Sequence, residues 1–109
     1  MNSVIENNKQ QIIELCRRFK VKELYAFGSV VREDFNPSSD IDFIAAFNFQ
    51  PDPDNIEELE KYFSNQDSLT ENLKILLNRE VDLLVEKNIR NKYLKTIISK
   101  EKKLIYAEA

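Results

Sequence analysis

The chain has 109 residues, of which 42% are hydrophobic and 32% charged, and its formal net charge is −3. This length and composition predict one soluble globular domain over residues 1–109. The chain has no histidine and one cysteine, which excludes Ser-His-Asp and Cys-His catalytic systems, His-ligated zinc and any internal disulfide. Its chemistry must therefore use carboxylates, hydroxyls, lysines and arginines, which suit hard cations such as Mg²⁺.

The sequence also limits the surroundings that we expect for the protein. No apolar run approaches the ~20 residues needed to span a bilayer, and residues 1–10 are polar, so we expect neither a membrane segment nor a secretory signal. A single cysteine is typical of the reducing cytoplasm. The acidic balance argues against direct, nonspecific binding of nucleic acid. Residues 86–109 carry seven basic and three acidic side chains, which form either a solvated helix or a surface for an acidic partner.

The first half of the chain predicts one helix and two strands. The helix has apolar residues at helical spacing and a capping box formed by Ser3 and Glu6. In chain order we expect a helix over residues 4–19, a strand over 21–27, a helical turn over 29–33, a turn over 36–39 and a strand over 40–49.

The second half predicts helices, a third strand and a short edge strand. Asp54 with Glu57 suggests one helix start, and Ser68 with Glu71 forms a capping box for another. We expect helices over residues 56–63 and 69–77, a strand over 80–85, a helix over 90–100 with Leu94, Ile97 and Ile98 inward, and an edge strand over 104–106. This alternation indicates an α/β or α+β domain with a small mixed sheet flanked by helices.

Gly28 is the only glycine in the chain and follows the predicted strand over residues 21–27. A glycine at a strand-to-helix corner allows free backbone N–H groups to approach phosphate. Gly28 on its own is better explained as a turn at a strand end, and Ser29 on its own as a helix cap. Arg32 is either a surface residue or a phosphate ligand. The case for phosphate therefore depends on what lies beside this corner.

Three aspartates lie where they could meet this corner. Asp40 and Asp42 share one face of a strand, with Cα atoms ~6.6 Å apart from two strand rises. Asp82 lies in another strand between apolar neighbours, where an unpaired carboxylate would be costly. If the two strands pair side by side, all three carboxylates converge. Converging carboxylates repel unless a cation lies between them or one of them is protonated. Three carboxylates beside a phosphate-binding corner predict a two-metal phosphoryl-transfer site.

The motif Gly28-Ser29, ten residues, Asp40-Ile41-Asp42 and a later strand aspartate, Asp82, resembles the DNA polymerase beta superfamily of nucleotidyltransferases. The short chain looks most like its minimal nucleotidyltransferases, and the resemblance covers nearly all residues outside 50–61. One departure is Glu33, which follows the matched arginine where many members have a small residue.

The resemblance implies that a nucleoside triphosphate, ATP in the first instance, donates its nucleoside monophosphate to a hydroxyl, with two Mg²⁺ ions. Carried over by position, Gly28, Ser29 and Arg32 would bind the nucleotide. Asp40, Asp42 and Asp82 would be the catalytic residues and metal ligands. The family also implies an antitoxin whose partner is a HEPN-type toxin, modified on a hydroxyl. Two alternatives remain open at this point: an antitoxin that blocks its partner without catalysis, and an enzyme that modifies a small molecule, as aminoglycoside nucleotidyltransferases do.

Overall fold

The structure is a computed structural model that describes residues 2–32, 36 and 38–108. Its helices are α1 (Ser3–Asn7), α2 (Lys9–Arg18), α3 (Ile56–Leu77) and α4 (Lys92–Glu101). Its strands are β1 (Val21–Phe27), β2 (Ile41–Phe47), β3 (Val81–Val85) and β4 (Lys103–Ala107). Short 3₁₀ turns cover Gly28–Val31, called the Gly28 turn below, and Glu86–Asn88.

The four strands form one mixed sheet in the order β3-β2-β1-β4. β1 runs antiparallel to both β2 and β4, whereas β2 and β3 are parallel. The parallel pair is possible because α3 lies between β2 and β3 in the chain and returns it to the same end of the sheet. The expected mixed sheet flanked by helices is confirmed, and so is the edge position of the last strand.

The core lies between one face of the sheet and the helices α2 and α3. Alternate residues of β1 and β2 point into it, as period-two strands require. Its fully buried members include Ile12, Cys16, Leu24, Ile41, Phe43, Leu69 and Leu73. Burial raises the pKa of the Cys16 thiol to about 12. On the other face of the sheet, Ile44 of β2 is buried, and so is Ile98 of α4. Both faces of the sheet are therefore covered.

Two predicted capping boxes are wrong. The first helix begins at Ser3 and is capped by Asn2, whose Oδ1 accepts a hydrogen bond from the Val4 amide at 2.8 Å, so Ser3 is the first helical residue and not the cap. The helix is then interrupted at Asn8, which separates α1 from α2. Ser68 lies inside α3, a single helix of 22 residues, because helix propagation there outweighs the local capping chemistry.

Other boundaries differ by a few residues. α3 is capped by Asn55, whose Oδ1 accepts from the Glu58 amide, and not by Asp54. β2 begins at Ile41 and ends at Phe47, so Asp40 precedes the strand. In α4 only Ile98 is buried, and the predicted inward Leu94 and Ile97 are each 38% exposed. Residue 33 of the predicted helical turn and residue 37 of the predicted turn over 36–39 lie outside the described residues.

Within the described ranges, no helix combines the length and apolar character needed to cross a lipid bilayer.

Candidate active site

Three strand ends meet at one edge of the sheet. Because β1 is antiparallel to β2, its last residue, Phe27, is the register partner of Asp42 near the start of β2. Because β3 is parallel to β2, Asp82 is the register partner of Asp42 on the other side. The strand pairing therefore brings the Gly28 turn, Asp42 and Asp82 side by side, as the sequence predicted on the condition that the two strands pair.

Two separate observations explain why position 28, at this end of the sheet, has to be glycine. Its φ of +75° lies in the left-handed region that side chains disfavour. A Cβ atom at this position would lie 2.5 Å from Oδ2 of Asp42. The backbone of the turn therefore contacts the Asp42 carboxylate directly, which explains why the chain places its one glycine here.

The rest of the Gly28 turn presents Ser29 and Arg32 beside that carboxylate. Ser29 is partly exposed, and its carbonyl oxygen accepts a hydrogen bond from the Arg32 amide at 3.1 Å. No side chain caps the first amides of the turn in the described part of the chain. Glu33, the residue that departs from the family pattern, lies outside the described residues.

The carboxylates around Asp42 repel one another. Partial burial raises the pKa of Asp42, and the charges of Asp82 and Asp40 raise it further, while Arg32 lowers it. These effects show that all three charged groups lie within electrostatic range of Asp42. A carboxyl group that is harder to ionise because of its neighbours is typical of a site that takes a cation.

The three predicted metal ligands are not equally placed. Asp42 is partly buried, whereas Asp82 and Asp40 are exposed, so the argument that Asp82 would be costly inside an apolar strand is wrong. Among the described residues, no three acidic side chains lie close enough together to hold a metal ion. The predicted convergence is thus met by the pair Asp42 and Asp82, and Asp40 lies near them without completing a triad, because it precedes β2 and its position is not fixed by strand pairing.

Two further charged residues, Arg79 and Glu101, make long-range contacts at this end of the sheet. Arg79, two residues before β3, donates from Nη1 to the carbonyl oxygens of Asn36 at 2.9 Å and Ser39 at 3.4 Å. It joins the segment before Asp40 to the start of β3, and the only sequence signal for it is an arginine two residues before the strand that carries Asp82. Glu101, at the end of α4, accepts a hydrogen bond from Arg32 at 2.8 Å. This contact spans 69 residues, and no sequence pattern pointed to it.

Comparison with known proteins identifies the family. A family model described as a nucleotidyltransferase domain matches residues 9–105, nearly the whole chain. The chain belongs to the nucleotidyltransferase family. The resemblance drawn from the sequence motif is thereby confirmed, and the protein is a nucleotidyltransferase by family.

Relatives in the family agree on the type of enzyme. The protein adenylyltransferase MntA of Thermococcus cleftensis is 33% identical over 85 residues, covering 78% of this chain and 76% of that protein. A Methanocaldococcus jannaschii protein, provisionally named a protein adenylyltransferase, is 37% identical over 92 residues, covering 84% of this chain and 82% of its own.

Solved structures share the fold at low sequence identity. A toxin–antitoxin crystal structure with AMP-PNP superposes with a TM-score of 0.69 at 22% identity, covering 93% of this chain and 74% of that chain. A complex of a tri-AMPylated Shewanella oneidensis HEPN toxin with its MNT antitoxin gives a TM-score of 0.63 at 21% identity, covering 94% of this chain and 72% of that chain. These likenesses show that the chain has the minimal nucleotidyltransferase fold.

Proposed function

We propose that this chain transfers AMP from ATP to a hydroxyl group of a partner protein, with Mg²⁺, and acts as the antitoxin of a HEPN-type toxin. One observation carries the proposal: the backbone of the Gly28 turn contacts Asp42, and Asp42 is in register with Asp82. A turn that can approach phosphate therefore adjoins a pair of carboxylates. This is the arrangement that phosphoryl transfer from a nucleotide requires, since positioning and charge neutralisation supply most of the rate.

In this proposal, the residues at this end of the sheet have different roles in the reaction. Gly28 and Ser29 would hold the β- and γ-phosphates through the turn, and Arg32 would contact a phosphate oxygen. The acceptor oxygen bonds to the α-phosphorus, the bond from that phosphorus to the oxygen bridging to the β-phosphate breaks, and pyrophosphate leaves with the electron pair. Asp82 is the exposed carboxylate nearest Asp42 in the strand register, which makes it our candidate to take the proton of the acceptor hydroxyl.

The chemistry of the donor set fits Mg²⁺. The candidate ligands Asp40, Asp42 and Asp82 offer only carboxylate oxygens, which hard cations prefer. Partial burial first, and then the charges of Asp82 and Asp40, raise the pKa of Asp42, and a bound cation would oppose both effects. When bound, Mg²⁺ would neutralise charge on the transferring phosphoryl group.

The surface beside the site supports a protein as acceptor. α4 packs against the Gly28 turn, and its outer face exposes Tyr93 (78% exposed), Leu94 and Ile97. Residues 86–109, which include α4, carry seven basic and three acidic side chains. An exposed apolar face on a basic segment that packs against the Gly28 turn suits an acidic protein that brings its own hydroxyl. The names of the relatives and the complexes with the same fold favour a protein as the acceptor. The use of ATP and the single free thiol favour the cytoplasm as the location of this protein.

The test is intact-mass spectrometry of a HEPN-type partner from the same genome after incubation with this protein, ATP and Mg²⁺. We expect the partner to gain one or more AMP units, and peptide sequencing should locate them on a hydroxyl side chain. The gain should vanish with Asp42→Asn and with Asp82→Asn. Asp67→Asn, an exposed acid on α3, is the matched control and should leave the gain unchanged.

Two results would replace the proposal. If the partner binds tightly but gains no mass with any of the four nucleotides, the chain acts as a steric antitoxin. If an aminoglycoside gains AMP and no protein does, the substrate is a small molecule.

A further inference from the structure

A cavity of about 280 Å³ lies between α4 and the Glu86–Asn88 turn. It opens on the same face of the sheet as Asp42, because side chains alternate along a strand and Ile44, two residues after Asp42 in β2, lines the cavity. Two strand rises place the Cα atoms of Asp42 and Ile44 ~6.6 Å apart. The cavity therefore adjoins the candidate active site along β2.

The strand directions fix the position of the cavity relative to the Gly28 turn. β1 ends at Phe27, the register partner of Asp42, and the Gly28 turn continues past it towards the start of β2. Ile44 lies in the opposite direction along β2. The order along this face is therefore the Gly28 turn, then Asp42 with its register partner Asp82, and then the cavity.

In-line phosphoryl transfer places the acceptor on the side where the cavity lies. In the proposed function, the β- and γ-phosphates are held at the Gly28 turn and the α-phosphorus lies beside Asp42. The acceptor oxygen bonds to the α-phosphorus from the side opposite the bond to the leaving pyrophosphate, and its proton passes to Asp82. That side faces away from the Gly28 turn and towards the cavity.

The lining of the cavity combines an apolar part with positive charge. Three isoleucines supply the apolar part: Ile44, Ile89 and Ile98. Lys95 and Ser99 of α4 and Lys102, which caps that helix, lie four and seven positions apart, so they share one helical face. With Glu86 and Lys87, the lining within the described part of the chain has three lysines and one glutamate.

The charge of Lys102 is held against the sheet by two contacts. Its Nζ lies 4.3 Å from the centroid of the Tyr25 ring and 3.9 Å from Oε1 of Glu86, and 26% of its side chain is exposed. Lys95 and Ser99 are exposed, so they lie towards the opening of the cavity. A cleft with positive charge and apolar walls attracts a segment in which an acidic side chain neighbours an apolar one.

We propose that this cavity is the acceptor subsite and that it binds an acidic segment of the partner protein. An acidic side chain of the partner pairs with Lys95 and Lys102, and the apolar part of the segment packs against the isoleucines. The acceptor hydroxyl then lies over Asp42 and Asp82. The inference rests on the proposed function, since it takes the phosphates to lie at the Gly28 turn. It makes α4 a determinant of which hydroxyl is modified.

The experiment uses Lys95→Glu to separate acceptor binding from nucleotide binding. The kcat and KM for the HEPN-type partner are measured from its mass gain with ATP and Mg²⁺, and the dissociation constant for ATP with Mg²⁺ is measured by calorimetry without the partner. We expect KM to rise about tenfold or more, because an attractive charge becomes a repulsive one. The dissociation constant should change by less than about twofold.

Lys61→Glu is the matched control. It makes the same charge reversal at an exposed lysine of α3, the helix that packs against the other face of the sheet. The KM for the partner and the dissociation constant for ATP should both equal those of the unaltered protein. A rise in KM equal to that of Lys95→Glu would show a general effect of net charge and overturn the subsite.

A second variant, Ser99→Phe, tests the volume of the cavity. It places a ring in the cavity and keeps every charge, so kcat/KM for the partner should fall at least about tenfold while the affinity for ATP is kept. Melting temperatures show whether each variant is folded, and Lys95→Glu, at an exposed position, decides the case if Ser99→Phe does not fold.

The outcomes distinguish this inference from the proposed function. If the unaltered protein modifies the partner and the folded variants keep its KM and kcat/KM, the acceptor subsite is overturned and the proposed function stands. Weaker binding of ATP by Lys95→Glu or Ser99→Phe also overturns it, because the cavity would then hold the nucleoside of the donor. If the unaltered protein modifies no partner, the proposed function fails and this inference fails with it.

Discussion

At the scale of single residues, the site depends on the contact between Gly28 and Asp42. A glycine with φ of +75° and a carboxylate oxygen where a Cβ would be leave no space for any side chain. The same carboxylate is in register with Asp82 and within range of two other charges. The backbone conformation of Gly28 and the charge interactions of Asp42 therefore depend on the same contact. Substitutions at Gly28 and at Asp42 test the two effects separately.

Gly28→Ala should lower the free energy of unfolding by about 1–3 kcal/mol, the usual cost of a side chain in the left-handed region. It should also weaken ATP binding, because the added methyl displaces the Asp42 carboxylate. In an Asp42→Ala background the collision is gone and only the backbone strain remains, so Gly28→Ala should cost less there. Denaturant titrations of the four proteins measure this difference. An equal cost in both backgrounds would mean that the contact with Asp42 does not matter.

Asp42→Asn should raise the melting temperature of the protein without metal or nucleotide at neutral pH. Burial, Asp82 and Asp40 raise the folded-state pKa of Asp42 above its ordinary value of 3.8, so the ionised carboxylate opposes folding. A raised folded-state pKa contributes stability below the unfolded value, and that contribution is lost as the pH rises through the folded-state value. The advantage of asparagine should therefore disappear towards about pH 4.

Thermal melts across this pH range check the prediction, with Asp67→Asn on the exposed surface of α3 as the control. An Asp42→Asn protein that melts below the unaltered one at neutral pH would show that the carboxylates do not repel.

At the scale of elements, α3 is the clearest difference between sequence and structure. Two capping signals predicted two helices, and the structure has one, capped at Asn55. Asn55→Ala should cost about 1 kcal/mol of unfolding free energy because it removes the acceptor for the Glu58 amide. Ser68→Ala should cost nothing or stabilise slightly, since Ser68 is exposed within the helix and alanine is the better helix former. A loss at Ser68 equal to that at Asn55 would restore the two-helix prediction.

The elements also show which features a sequence can specify. β1 was predicted to the residue because its alternation and the following glycine are local signals. The pairing of Asp42 with Asp82 followed once β2 and β3 were assumed to be neighbours. Arg79 and Glu101 could not be predicted, because their partners lie 43 and 69 residues away and depend on the completed fold. Local patterns specified the strands and the candidate ligands, and the long-range contacts that orient them required the structure.

At the scale of the whole molecule, ligand binding should be visible as stability. ATP with Mg²⁺ binds only the folded protein, so at roughly ten times the dissociation constant the melting temperature should rise by about 5 °C or more. Either component alone should give a smaller shift. Differential scanning fluorimetry measures it, and Asp82→Asn should remove the combined effect. No shift with both components at millimolar concentration would count against a nucleotide site.

The buried Cys16 thiol offers a way to measure how often the protein opens locally. With its thiol fully buried and its pKa raised to about 12, Cys16 has almost no thiolate and no access for an alkylating reagent in the folded state. Labelling should therefore proceed only through molecules in which α2 has detached from the sheet. The labelling rate would report how often that happens, without a fluorophore or an added tag. If ATP with Mg²⁺ slows labelling, the edge that holds the nucleotide and the helix that shields the thiol open together.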